Sequence, residues 1–115
     1  MNILQTIVQR KKQEIVLAKS KVKESTLEQS ELFNRKCFSL SEYINDPELS
    51  GIIAEFKRKS PSKPTINLHA DVTQITTGYS SAGASALSVL TDVDFFGGND
   101  EDIKQARSVN QIPIL

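Results

Sequence analysis

The sequence predicts an α/β protein built on a parallel sheet. From Gly51 onward, short apolar runs of strand length at 52–57, 85–91 and 112–115 alternate with helical patterns at 72–82 and 100–109. Strands that alternate with helices imply parallel pairing through right-handed crossovers. The residues before Gly51 have a different character, a long helical pattern followed by turn signals. This divides the chain into an N-terminal helical extension, 1–50, and a βαβαβ portion, 51–115.

Residues 2–24 form the first helical pattern. Ile3, Leu4, Ile7, Val8, Ile15 and Val22 fall near one stripe, separated by Lys, Gln, Arg and Glu. The basic run Arg10-Lys11-Lys12 belongs to the solvated face. Between 25 and 50 the signals are caps and turns, with Ser39-Leu40-Ser41-Glu42-Tyr43-Ile44 opening a short helix that Asn45-Asp46-Pro47 ends. The first strand follows Gly51, and a polar loop with two prolines runs from Arg58 to Ala70. Asp71 is placed to cap a helix over 72–82 whose stripe is Val72, Ile75 and Tyr79, and Gly83 stands at its stop. After the second strand and the loop 92–98, Asn99 is an N-cap with Asp102 three positions on, and the helix 100–109 is expected to bury Ile103, Ala106 and Val109. Ile112-Pro113-Ile114-Leu115 begins a third strand. A parallel sheet needs both faces covered, so this βαβαβ order leads us to expect the front part of a larger fold.

Composition narrows the function. The 115 residues carry 14 Lys+Arg and 14 Asp+Glu, a formal net charge of zero, which argues against a dedicated nucleic-acid binder and gives no reason to expect a membrane surface as partner. Apolar residues make up 38%, so the core should be thin. Cys37 is the only cysteine and reads as a reduced thiol, and His69, the only histidine, lies in a polar loop. One Cys and one His do not make a metal site, and no metal is expected. Met1 leads into no basic start and apolar run, and no apolar stretch is long enough to span a bilayer, so the expected compartment is the cytoplasm.

The most informative stretch is Ile52-Ile53-Ala54-Glu55-Phe56-Lys57-Arg58-Lys59-Ser60-Pro61-Ser62. Side chains on a strand alternate faces. Ile52, Ala54 and Phe56 therefore share an apolar face that should pack, while Ile53, Glu55 and Lys57 share the other. Charges in a strand with one buried face are costly unless paired or chemically employed. A carboxylate and an ammonium aimed the same way, where a strand opens into a Ser-, Pro- and Lys-rich loop, have the character of part of an active site. Taken alone, a Glu-x-Lys pair on a strand is more often an exposed ion pair, Phe95-Phe96 a buried loop anchor, and Arg58-Lys59 solvated.

These residues also resemble the first-strand motif of the indole-3-glycerol-phosphate synthase family. Three further pieces match in order: Tyr79-Ser80-Ser81-Ala82-Gly83-Ala84, then Leu87-Ser88-Val89-Leu90-Thr91-Asp92 with Phe95-Phe96-Gly97-Gly98, and finally Ile112-Pro113-Ile114-Leu115. The N-terminal helix resembles the segment that precedes the barrel in this family. The resemblance implies the N-terminal part of a (β/α)8 TIM barrel, with about three parallel strands and two helices after the extension. It also implies a lyase of tryptophan biosynthesis that converts carboxyphenylamino-deoxyribulose 5-phosphate to indole-3-glycerol phosphate by ring closure, loss of carbon dioxide and loss of water, without cofactor or metal. By the same resemblance Glu55 and Lys57 are catalytic. Lys57 is a cation towards substrate anions and a proton donor, and Glu55 orients cationic groups and substrate hydroxyls. Arg58 and Ser60, on the mobile loop over the site, are substrate-binding, as is Phe96, or Phe95, which lines the pocket for the aromatic ring. Family groups from later strands, including the general-acid lysine, lie beyond Leu115, so the chain alone is expected to be inactive.

Two other readings compete with an enzyme of this family. A partial barrel with an unpaired edge invites strand pairing, which would make the chain a non-catalytic module and a homo-oligomer. A basic loop of Arg58, Lys59 and Lys63 could contact nucleic acid, with steep salt dependence, but the neutral total opposes it.

Overall fold

A computed structural model describes residues 1–115 as two units, Met1–Lys36 and Cys37–Leu115. In the first, α1 (Ile3–Lys21) begins at a reciprocal capping box: Asn2 Oδ1 accepts from the Gln5 N–H at 2.9 Å, and Gln5 Oε1 accepts from the Asn2 N–H at 3.0 Å. Glu14 pairs with Lys11 at 2.7 Å and Arg10 at 3.4 Å, and Lys19 and Lys21 complement the negative end of the helix. The helix pattern is as expected, but the apolar stripe is not buried: Ile3, Leu4, Val8, Ile15 and Val22 are all exposed. The only other helix in this unit, α2 (Glu24–Glu28), is too short to cover it.

The second unit begins well before the boundary expected after residue 50. Its first helix, α3 (Leu40–Asn45), is capped by Ser39 and ends ahead of Pro47. Residues 37–50 join the sheet portion through aromatic and polar anchors. Phe38 packs edge-on to Tyr43, with ring centroids 5.8 Å apart, and lies 4.9 Å beneath the Arg107 guanidinium; the Tyr43 hydroxyl donates to the Gln111 carbonyl at 3.4 Å.

β1 (Ile53–Phe56) and β2 (Ala86–Val89) pair in parallel, with Ile53 opposite Ala86, Glu55 opposite Ser88 and Phe56 opposite Val89. The third strand is present as a parallel bridge, Leu87 to Ile114. Hydrogen bonds from Leu87 N–H to Pro113 O, Leu115 N–H to Leu87 O and Val89 N–H to Leu115 O extend it. The order is therefore β1, β2, 113–115, with β2 central and one edge of β1 unpaired.

Two helices cross over this sheet. α4 (Val72–Ser81) starts at Asp71, whose carboxylate accepts from the Gln74 N–H at 2.9 Å, and the chain leaves it at Gly83, which has φ +100°. α5 (Asp100–Val109) starts at Asn99, which accepts from the Asp102 N–H at 2.9 Å. Phe56, Val72, Val89 and Ala106 form the core, with Ala70, Ile75, Ile103 and Ile114 packed against it.

Three packing expectations need correction. Ile52, placed on the packed face, is 59% exposed beside an open groove of about 270 Å³ lined by Ala54, Tyr79, Ala82 and Ala84. On α4 the buried residues are Val72 and Thr76, because the Thr76 hydroxyl is satisfied in place: it donates to Val72 O at 2.6 Å and accepts from Asn110 Nδ2 at 3.0 Å. On α5, Val109 is 43% exposed and Asp102 is buried instead, for a reason given below. No helix is long and apolar enough to cross a membrane, and no group of three or more His, Cys, Asp or Glu side chains is placed to hold a metal ion.

Candidate active site

The charged pair sits where β1 gives way to its loop. Phe56 faces the core and is buried, so alternation sends Glu55 and Lys57 to the opposite face of the sheet. Lys57 Nζ lies 3.4 Å from Glu55 Oε1, and both side chains are roughly half-exposed, at 37% and 43%. A pair this open contributes little to stability, so its geometry is affordable to the fold and available to a ligand. The Ser88 hydroxyl, opposite in register, donates to Glu55 Oε2 at 3.0 Å, and the Tyr79 hydroxyl donates to the Glu55 carbonyl at 3.3 Å. A cavity of about 260 Å³ runs along the unpaired edge of β1, between the loop and α4. Glu55 and Lys57 border it, but so do Phe56, Ala70, Ile75 and Tyr79 from the helix side, so it is an edge groove rather than a pocket on the face of the charged pair.

Arg58 has a different environment. Its guanidinium makes a two-pronged ion pair with Asp102, with Nη1–Oδ2 at 2.5 Å and Nη2–Oδ1 at 2.9 Å; the two side chains are only 15% and 5% exposed. Nη1 also donates to Gly97 O and Nε to Ala70 O, each at 3.3 Å, and the group lies 5.0 Å over the Phe56 ring. The Asp102 hydrogen bond raises the arginine pKa above its ordinary value; burial opposes this, and attraction to Asp102 and Asp71 adds to it. The Arg58 carbonyl accepts from the Ile66 and Asn67 N–H groups, both at 3.0 Å, which closes the neck of the loop. The residue expected to hold substrate thus joins the end of β1, both ends of its loop, the β2 loop and α5. This pair is what buries Asp102.

The other expected site residues lie on the two loops. Ser60 sits in a tight turn: its N–H donates to Lys63 O, its carbonyl accepts from the Lys63 N–H, and its hydroxyl lies 3.3 Å from that of Ser62. Phe95 and Phe96 are half-buried in the β2 loop. Asp92, itself buried, organises that loop by accepting from their N–H groups at 2.7 and 3.1 Å. The structure brings Glu55 and Lys57 together, and adds Ser88 and Asp92, which the sequence placed within a family-like motif but to which it assigned no role. Alternation along β2 could have found Ser88, since Leu87 and Val89 point into the core. Asp92 had no comparable signal.

Comparison with known proteins gives a consistent result. The profile of indole-3-glycerol phosphate synthase matches residues 4–115. The synthase of Syntrophobacter fumaroxidans is 39% identical over 116 residues, covering 99% of this chain and 44% of that protein. That of Bacillus cereus is 41% identical over 98% of this chain and 41% of its own length. That of Bacteroides thetaiotaomicron is 56% identical over 57% of this chain and 25% of its own length. The chain spans less than half the length of the curated relatives it matches. The parallel order of β1, β2 and 113–115, with helices between, corresponds to the opening strands of a (β/α)8 barrel, and the chain belongs to the indole-3-glycerol phosphate synthase family.

Proposed function

We propose that this chain supplies the first-strand acid–base pair of an indole-3-glycerol phosphate synthase, a cytoplasmic enzyme of tryptophan biosynthesis acting on a phosphorylated small molecule. The observation that carries the reading is the half-exposed Glu55–Lys57 pair at the C-terminal end of β1, on the face turned away from the helices, where barrel enzymes place their chemistry. In the reaction, the aromatic carbon of carboxyphenylamino-deoxyribulose 5-phosphate attacks the ribulose carbonyl. The ring carboxylate then leaves as carbon dioxide and a hydroxyl leaves as water. The Lys57 ammonium stabilises substrate anions and donates a proton, and Glu55 holds that ammonium and orients substrate hydroxyls. Phe96, with Phe95 beside it, borders the aromatic ring, and Ser60 lies on the loop above. Arg58 contributes by fixing the root of that loop.

The test is complementation. The chain is mixed with the C-terminal portion of the S. fumaroxidans synthase, and product formation is followed by indole fluorescence. The chain alone is silent, the mixture turns over, and Lys57→Ala in this chain abolishes turnover. An assembled but silent mixture would refute the proposal. A second reading has one observation in its favour: β1 pairs on one side only, with Ile52 and Ile53 exposed along it. Self-association through this edge predicts a mass that rises with concentration in light scattering, without substrate binding.

A further inference from the structure

Glu55 is held at three atoms by three different residues. Along its own strand, Lys57 Nζ contacts Oε1 at 3.4 Å. Across the sheet, the Ser88 hydroxyl donates to Oε2 at 3.0 Å. At the main chain, Tyr79 donates to the carbonyl at 3.3 Å. The Lys57 contact does not fix the carboxylate by itself, since two flexible, half-exposed side chains can meet in many rotamers. The Ser88 hydroxyl is different in kind. It stands on a short side chain in the central strand, directly opposite Glu55, and reaches the oxygen that Lys57 does not contact.

Packing gives no reason for a serine there. Its neighbours Leu87 and Val89 are buried core residues, while Ser88 itself is only partly buried on the opposite face, and serine is not a favoured strand former. The hydroxyl's distinct contribution is the bond to the carboxylate. We propose that Ser88 is a positioning residue. Its hydroxyl selects the Glu55 rotamer in which Oε1 faces the Lys57 ammonium, so that acid and cation meet the substrate as one unit. This rests on the acid–base role of Glu55 and Lys57 proposed above.

The test uses the 115-residue chain, labelled with ¹³C and ¹⁵N, with Ser88→Ala and Ser88→Thr. Ser88→Ala shifts the Glu55 side-chain carboxyl resonance and averages its side-chain couplings, while the amide signals of Leu87 and Val89 keep their positions. Ser88→Thr restores the wild-type Glu55 signals. An unmoved Glu55 resonance in Ser88→Ala, or identical behaviour of the two variants, overturns the proposal. In the complemented assembly, Ser88→Ala lowers kcat about tenfold, as expected for loss of one hydrogen bond to a charged group. KM is unchanged and Thr rescues. A Glu55 signal that responds while kcat does not overturns the positioning role. If the assembly is silent even with Ser88 intact, the acid–base reading fails and the reaction role of Ser88 falls with it, whereas the Glu55 resonance still reports whether the serine holds the carboxylate.

Discussion

Asp102→Asn removes the charge that Arg58 is built around and leaves almost everything else in place. Asparagine preserves the side-chain shape and the backbone N–H that Asn99 caps. The guanidinium keeps one neutral amide oxygen at position 102, Gly97 O and Ala70 O, both at 3.3 Å, and the Phe56 face, but meets an amide NH2 where the second carboxylate oxygen stood. Deleting one partner of a buried pair costs about 3–5 kcal/mol, because the other charge is stranded. With 15% and 5% of the two side chains exposed, water screens little of this, and the surviving acceptors place the cost near the lower end, about 3 kcal/mol. For a urea m-value of about 1.5 kcal/mol/M, the unfolding midpoint of the 115-residue chain falls by about 2 M. Arg58→Met keeps an apolar stem over Phe56 and supplies the other arm of a double-mutant cycle. The double variant should be less unstable than the sum of the singles, because no stranded charge remains in it. A midpoint for Asp102→Asn within about 0.3 M of wild type, or strict additivity, would refute this account of the pair. The raised arginine pKa gives the sign of the pH dependence. Its contribution is complete below the ordinary arginine value and is lost only as pH rises through the higher folded value. The arginine side of the pair should therefore add no slope to stability between pH 7 and pH 10.

Two other substitutions probe the loops at opposite ends of the sheet. A Cβ on Gly98 would lie 1.9 Å from Leu90 O and 2.8 Å from Leu90 C, main-chain atoms that cannot rotate away. Gly98→Ala should therefore lower stability by about 3 kcal/mol or more and move the Phe95 and Phe96 amide signals, since the β2 loop must lift; a thermal midpoint within a degree of wild type would contradict this. Arg107→Met removes donors to Asn110 O at 2.6 Å and Ile112 O at 2.7 Å and the cation over Phe38. It should cost about 2 kcal/mol in urea unfolding, with little effect on turnover in the complemented assembly.

The legible parts of this fold were those where local chemistry and tertiary packing agree. Asp71, Asn99 and Ser39 cap the helices they precede, Gly83 takes the left-handed conformation at the end of α4, and β1 alternates as its residues require. The failures share a cause. Thr76 and Asp102 are polar residues on faces that periodicity assigns to apolar neighbours, and each is buried because a partner distant in sequence satisfies it: Asn110 for the first, Arg58 for the second. A periodicity count cannot see such partners. The same limit applies to Arg58, which carries the charge expected of an anion ligand and resides in a site-forming motif. Its partner is forty-four residues away, so only the fold reveals where its charge is used.

The position of the two ion pairs shows how one motif serves both stability and chemistry. Lys57 and Arg58 follow β1 directly and pair with Glu55 on β1 and Asp102 on α5, yet the first pair is half-exposed and the second almost wholly covered. Successive residues at the end of a strand leave on opposite faces, so the adjacent cations Lys57 and Arg58 meet different surroundings. Lys57 goes to the face turned away from the helices and stays half-exposed, where an ammonium remains mobile and solvated enough to meet a substrate anion. Arg58 turns towards the helices, where a planar fork suits a fixed two-pronged contact and fastens the loop's neck. Exchanging the two would fail on both counts. A lysine at 58 cannot span both oxygens of Asp102 in the plane of the carboxylate, and an arginine at 57 would hold Glu55 in a fork of its own and compete with Ser88 for Oε2. Arg58→Lys should therefore loosen the loop and lower stability despite keeping the charge, a result that separates geometry from electrostatics as the origin of the clamp.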